Sequence, residues 1–429
     1  MRSKKSRSTT KSVFAILLTL LLAATMAAQP AQAQKFKVLH TFHGAPNDGT
    51  FPHGVVIRDS AGNFYGTTGA GGSGRCSNAG CGTAFKLDKN GKRVWLHSFN
   101  GMNGWQPLAG LLRDKEGNLY GTTTFGGNAT NCPDGCGVVF KLDKTGNETV
   151  LHRFNGINDG DTPEALLVMD GVGNLYGTTY EGPGGDLGTL FKVSKTGKET
   201  ILHRFNGPIG GGGDGAFPYS GAIRDVSGNI YGVTAGGGAV GGGAVYEFDA
   251  TSNESLLYSF GGGEDGDEPF SVLVADAEGN LYGTTKEGGG SGCGGFGCGV
   301  VFELSPRSGG TWTESVLYRF CSQPNCTDGA EPLDGPLVRD AAGNIYGTTY
   351  VGGAYNSCNG DACGVVFKLD KTGKETVLHS FTAGADGALP WAGLTMDAAG
   401  NLYGTTVLGG DLKCEPTYGG CGTLFKITP

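Results

Sequence analysis

The sequence predicts an all-β chain folded as a seven-bladed β-propeller of four-stranded antiparallel blades. Three observations predict it. One octapeptide recurs seven times: "AGNFYGTT" from Ala61, "EGNLYGTT" from Glu116, "VGNLYGTT" from Val172, "SGNIYGVT" from Ser227, "EGNLYGTT" from Glu278, "AGNIYGTT" from Ala342 and "AGNLYGTT" from Ala399. Its Asn residues are spaced by 55, 56, 55, 51, 64 and 57 residues, a period typical of propellers and solenoids. The two ends complement each other, and this selects a closed ring. The last unit stops at "GTLFKITP", one strand short, while "KFKVLHTF" (Lys35–Phe42) matches the missing strand, as in "ETVLHSF" (Glu375–Phe381). Lys35–Phe42 is therefore expected to complete the seventh blade, which removes the open sheet edges that invite aggregation.

Residues 1–33 read as a leader. Arg2, Lys4, Lys5, Arg7 and Lys11 form a basic head, Val13–Ala28 is apolar but short for a membrane span, and "AQA" (Ala31–Ala33) is a small-x-small cleavage signal. No cysteine follows the cut and no second apolar run of span length occurs. The expectation is a secreted, soluble chain, 34–429, extracellular or periplasmic, with no lipid or C-terminal anchor. The whole chain carries 32 Lys and Arg against 40 Asp and Glu. The leader holds five of the basic residues and no acidic ones, leaving 27 against 40, net −13. Such a charge disfavours binding to nucleic acid through its phosphates. Glycine is abundant, 82 of 429 residues, and its periodic placement between β-branched and aromatic runs predicts short strands and tight turns rather than disorder.

Each unit has four strand-like runs, here lettered a to d. In the second unit they are "PLAGLLRD" (Pro107–Asp114), "NLYGTTT" (Asn118–Thr124), "GVVFKLD" (Gly137–Asp143) and "ETVLHRF" (Glu148–Phe154), as in a propeller blade. Asp-x-x-Gly-Asn joins a to b in all seven units, with Asp capping the turn and Gly supplying positive φ. The Gly of "YGTT" is expected to allow close blade-to-blade approach, and its Tyr to be a packing residue with a satisfied hydroxyl. The histidines of strand d (His40, His97, His152, His203 and His379) occupy one repeated position, filled by Tyr258 and Tyr318 in two units, and read as structural.

The a-to-b and c-to-d turns are stereotyped and share one face. The b-to-c and d-to-a loops share the other, and they vary. Twelve cysteines fall there in close pairs: Cys76/Cys81, Cys132/Cys136, Cys293/Cys298, Cys321/Cys326, Cys358/Cys363 and Cys414/Cys421. An even count in an exported chain predicts local disulfides. The spacing does not match zinc ligation. The d-to-a loops carry Asp-Gly-x-x-Pro in six units, with Asn103 leading the seventh. This is turn chemistry, with Asp159, Asp161, Asp265 and Asp267 as calcium candidates that lack the full calcium-loop spacing. His43 and His53 are the histidines outside the repeat pattern. Arg58, Arg113, Arg224 and Arg339 end strand a. These six are the ligand-binding candidates. No nucleophile elbow, zinc-protease helix or phosphate loop occurs, so neither a catalytic residue nor a cofactor is expected.

"YGTT", the Gly-Gly that follows and "VFKL" resemble the GloVer tandem repeats of exported bacterial proteins, often called choice-of-anchor tandem-repeat proteins. The resemblance spans residues 35–429 and implies export and a repeated β fold; it carries no activity. The functional expectation is a monomeric binding or scaffold module that recognises a glycan or an exported protein on its disulfide-stapled loop face. The alternative is a carbohydrate-active hydrolase or lyase with its site at the channel mouth.

Overall fold

The computed structural model describes residues 34–182, 186–207, 213–251, 253–355, 358 and 363–429. The leader, 1–33, lies outside the described residues.

Seven antiparallel blade sheets follow one another along the chain, six of them each built from one unit, and a two-stranded sheet of Gly49–Thr50 and Ala70–Gly71 accompanies the first. In the second blade, strand a (Leu112–Arg113), strand b (Leu119–Thr123), strand c (Val138–Leu142) and strand d (Glu148–Arg153) pair in that order. The seventh sheet has strand a at Thr395–Met396, b at Leu402–Thr406 and c at Thr423–Thr428, and its outer strand is Lys35–Thr41 from the other end of the chain. Its register pairs Lys35 with Thr428 and Thr41 with Thr423.

The paired part of strand a is shorter than the eight-residue run in the sequence: two residues in each blade, as at Leu112–Arg113 and Val338–Arg339. The run opens on a proline, which cannot donate to a ladder, and the residue before that proline is in the left-handed region in every blade. The distal end is extended alongside strand b in every blade; in the fifth, Asp267–Pro269 at the other end pairs with it too.

The core lies between blades. Seven clusters of buried side chains each join two neighbours; one unites Tyr65, Ala84 and Phe99 of the first blade with Leu119, Val138 and Phe140 of the second. Another unites Val56, Phe64 and Phe85 with Tyr403, Cys421 and Leu424, sealing the last blade onto the first. One aromatic pair repeats at these seams: the Phe after strand d meets the strand-c aromatic of the next blade. Phe99 and Phe140 are 5.0 Å apart, Phe154 and Phe191 5.1 Å, and Phe42 and Phe85, across the closing seam, 5.3 Å. Edge and tilted geometries of this kind add to area burial.

The repeated octapeptide has three physical jobs. Its Asn and Tyr satisfy the Asp that opens the a-to-b turn: the Asn118 N–H and Nδ2 donate to Asp114 at 2.7 Å each, and the Tyr120 hydroxyl donates at 3.0 Å. Burial alone would raise the Asp114 carboxyl, but these donors outweigh it and hold it below its ordinary range. Its first Thr stitches blades together, as where Thr67 Oγ1 donates to the Ala109 carbonyl of the next blade at 2.7 Å. Its Gly makes room inside the blade, which differs from the expected blade-to-blade role. Gly121 is the cross-strand partner of Phe140, and a Cβ there would lie 2.7 Å from the Phe140 ring. The ring of strand c lies across the glycine of strand b. Close backbone approach between blades falls instead at the axis, where a side chain on Gly335 would run into the Gly393 backbone.

Candidate functional site

Where the d-to-a loop enters strand a, the residue before the proline has positive φ in all seven blades. Phe51, Gln106, Thr162, Phe217, Glu268, Glu331 and Leu389 have φ between 52° and 59°, a conformation uncommon for residues with side chains. Neighbouring backbone holds it. In the first blade, the Phe51 N–H donates to the Cys421 carbonyl of the preceding blade at 3.2 Å, and its own carbonyl accepts from Gly69 N–H at 2.9 Å. The same pair of bonds fixes Gln106 (to Cys81, from Thr124), Glu331 (to Cys298, from Tyr350) and Leu389 (to Cys363, from Val407). The second cysteine of a staple thus positions the turn of the next blade.

These turns aim the residue after each proline at the axis. The seven positions are His53, Leu108, Glu164, Tyr219, Phe270, Leu333 and Trp391. The residue after each "GTT" or "GVT" stands beside them: Gly69, Thr124, Tyr180, Ala235, Lys286, Tyr350 and Val407. In a chain that repeats itself elsewhere, these two columns vary from blade to blade. They line the mouth of the central channel on the stapled face.

The mouth is walled by two aromatic arcs. In one, Trp391 meets His53 at 5.3 Å and Tyr350 at 5.2 Å, both edge-on. In the other, Tyr180 stacks on Phe217 at 5.0 Å and meets Tyr219 at 6.0 Å, and Tyr219 meets Phe270 at 5.1 Å. Lys286 lies over the Phe270 ring and pairs with Glu268 at 2.8 Å and Glu287 at 3.2 Å. Below, Val55, Ala109, Leu166, Val272 and Ala392 close the channel around His53 and Asp334, leaving about 10 Å³, room for roughly one water molecule. The mouth is a cup rather than a passage.

Burial sets the protonation of the cup. It pushes the Glu164 carboxyl up to about 7, against the pull of the Tyr219 and Thr124 hydroxyls that face it. Asp334 is raised well above the carboxylate range by burial first and by the charge of Glu164 second. Burial lowers His53 to about 4, so its ring is neutral, with Nδ1 2.9 Å from the Phe51 carbonyl. From Tyr350 and Leu389 at the rim, a groove of about 450 Å³ runs outward between the last two blades, lined by Leu408, Leu412, Pro416 and Tyr418. Such a cup and groove have the volume and lining of a small-molecule or oligomer site.

The profile of the Gloeobacter/Verrucomicrobia repeat matches residues 25–212, 74–296 and 188–414. The chain belongs to this repeat family. No curated protein matches it. Among solved structures it is similar to the extracellular domain of a hybrid two-component system from B. thetaiotaomicron, with 14% identity, a TM-score of 0.50, and coverage of 92% of this chain and 41% of that one. It is equally similar to the extracellular domain of a one-component system from the same organism, with 14% identity, a TM-score of 0.50 and coverage of 92% and 42%. The chain thus spans about two fifths of their length, and the likeness is one of fold.

In this Gloeobacter/Verrucomicrobia repeat protein, six disulfides join Cys76–Cys81, Cys132–Cys136, Cys293–Cys298, Cys321–Cys326, Cys358–Cys363 and Cys414–Cys421. Of the ligand candidates read from the sequence, His53 reaches the mouth. His43 lies on the outer rim, its Nδ1 2.9 Å from Asp411. The four arginines lie at the far end of strand a, against the preceding blade. Arg58 pairs with Asp397 at 3.6 Å over the Tyr403 ring, and Arg339 pairs with Asp276 at 3.1 Å, 4.1 Å from the Tyr282 centroid. Arg113 and Arg224 cover Tyr65 and Tyr176. Of the calcium candidates, Asp159 accepts from His152 and the Asn155 N–H, and Asp265 from Tyr258 and the Gly261 N–H. Burial raises the carboxyls of Asp161 and Asp267. Four of the strand-d histidines face the Asp of the following turn, as His203 does at 2.6 Å from Asp214, while His97, in the unit that has Asn103 instead, faces Glu148 at 3.0 Å; Glu254 brings a third ligand atom within 4.8 Å of the His203–Asp214 pair. Among the described residues, no helix is long and apolar enough to cross a membrane.

Sequence reading missed Glu164, Tyr219, Phe270, Asp334 and Trp391. With the seven units superposed on Asp-Gly-x-x-Pro, the column after Pro is variable and holds Glu164, Tyr219, Phe270 and Trp391, while Asp334 stands one position beyond it; nothing local says that these positions meet.

Proposed function

We propose that this chain is an exported glycan-binding module whose site is the aromatic cup at the channel mouth. The observation that carries this reading is the pair of aromatic arcs, Trp391–Tyr350 and Tyr180–Phe217–Tyr219–Phe270, facing a shared axis on non-repeating positions. Flat apolar rings match the C–H faces of pyranoses, and the carboxyls and hydroxyls between them supply partners for sugar hydroxyls. The outward groove gives a further sugar unit a place to lie. Six disulfides support an oxidising compartment, and the likeness to two extracellular domains is consistent with one. Seven near-equivalent blades favour binding over turnover, although a raised Glu164 beside Asp334 keeps hydrolysis as the second reading.

The test is a glycan array with the exported protein, followed by calorimetry on the hits and a reducing-sugar release assay. Saturable binding that Trp391→Ala and Tyr219→Ala each weaken at least about tenfold, without sugar release, supports the module. Release of reducing ends that ceases in Glu164→Gln replaces it with the hydrolase. Binding that neither aromatic substitution affects rejects the cup as the site.

A further inference from the structure

The charge inside the cup is unbalanced. Of the fourteen positions in its two columns, Lys286 is the single Lys or Arg, and it is already matched by Glu268 and Glu287. Glu164 and Asp334 face the same space. Among the described residues, Asp334 has no hydrogen-bond donor or cation against it; its charged neighbour is Glu164, which repels it. Beside Glu164, the Thr124 hydroxyl is 1% exposed and completes no well-formed hydrogen bond. A buried carboxylate without a counter-ion is unfavourable and gives up its charge by taking a proton. A buried hydroxyl without a partner is likewise a site awaiting one.

We infer that the cup takes a cationic sugar: a pyranose bearing a free primary amine, its ammonium held between Glu164 and Asp334. This deepens the glycan reading and rests on it. An ammonium has three donors and a full positive charge. Two carboxylates and the Thr124 hydroxyl would take those donors, and the rings of Tyr219 and Trp391 beside them attract a cation. A neutral sugar would leave Glu164 holding its proton. A uronic or sialic acid would bring a negative group beside carboxyls whose own charged form burial already disfavours. The arginines that could have answered an anion lie at the opposite end of strand a, Arg58 and Arg339 held by Asp397 and Asp276, and Arg113 and Arg224 over Tyr65 and Tyr176.

The protonation of the free cup gives the inference a second readout. Because burial lifts the Glu164 carboxyl to about 7, seating an ammonium beside it ionises it, and binding releases protons from the protein.

The experiment is calorimetry at pH 6.5 on the exported full chain with glucosamine tetramer, N-acetylglucosamine tetramer and a tetralysine peptide, repeated in buffers of different ionisation enthalpy. The inference expects glucosamine tetramer to bind at least about tenfold more tightly than its acetylated counterpart. It also expects net proton release, and a preference that falls to within about threefold in both Glu164→Gln and Asp334→Asn. Thermal melting checks that each variant is folded, and Glu164→Gln decides should Asp334→Asn not fold. Equal binding of the two tetramers, or a preference unchanged by either substitution, overturns the inference and leaves the glycan reading standing. Binding of tetralysine alone overturns both, as does binding of none of the three together with an empty glycan array.

Discussion

The main-chain N–H of Leu389 donates to the carbonyl oxygen of Cys363 across 2.9 Å. Leu389 is the left-handed residue that turns Trp391 toward the axis, and Cys363 is half of the staple on the preceding blade. This disulfide therefore does more than close a loop: the Cys363 carbonyl is part of the frame that holds Trp391 in the cup. Replacing both Cys358 and Cys363 by Ala should lower glycan affinity about tenfold while lowering stability by about 2 kcal/mol, the loop-entropy value for so short a ring. Calorimetry and thermal unfolding on the same sample check both numbers. Unchanged affinity with reduced stability would make the staple purely local.

Tyr246 stands where the other six blades have Phe, and its hydroxyl is buried without a partner. It lies over Gly232, its cross-strand partner. Tyr246→Phe restores the repeat's own residue and removes an unsatisfied polar group, so it should stabilise the chain by about 1 kcal/mol. The check is a higher thermal midpoint.

The Gly121–Phe140 relation gives a prediction of opposite sign. Gly121→Ala places a methyl against the Phe140 ring and should destabilise by about 1–3 kcal/mol, the range for overpacking. Phe140→Leu in the same chain should couple with it, so that the double variant is less damaged than the two losses added together. Thermal unfolding of the four chains of that cycle measures the coupling.

Stability should fall as pH rises from about 5 to 8. At the start of strand d, Glu199, Glu314 and Glu375 are pushed up to about 7, by burial first. Unfolded, each ionises near 4.5, so between these values the folded chain holds more protons, and raising the pH favours unfolding. His53 works the other way, since a ring lowered to about 4 binds its proton less well folded than unfolded. It is one group against three, with Glu164, Glu254 and Asp334 raised as well. All three glutamates are only half-buried, which reduces each contribution. Melting curves across this range at constant ionic strength should show the midpoint dropping, and less so in Glu314→Gln.

Architecture was legible in the sequence because a repeat writes the same local physics seven times. Asn118 and Tyr120 meeting Asp114, the Asp-Gly turns and the permuted end strands all follow from short-range chemistry. The true neighbour of Gly121 was not legible, because choosing Phe140 over an adjacent blade requires the strand register. Nor was the cup. Glu164, Tyr219 and Trp391 are 55 and 172 residues apart along the chain, and only ring closure brings them to one axis. The arginines drew attention as charged residues on inner strands, yet the end of the strand they occupy places them against Tyr403, Tyr65, Tyr176 and Tyr282.

A crystal structure of the exported chain with a bound oligosaccharide tests the central claim most directly. The expected result is a sugar ring seated over the axis between Trp391 and Tyr219, with further units leading into the groove beside Tyr418. A sugar held on the face of the a-to-b turns, or on the outer loops with the cup unoccupied, would contradict it.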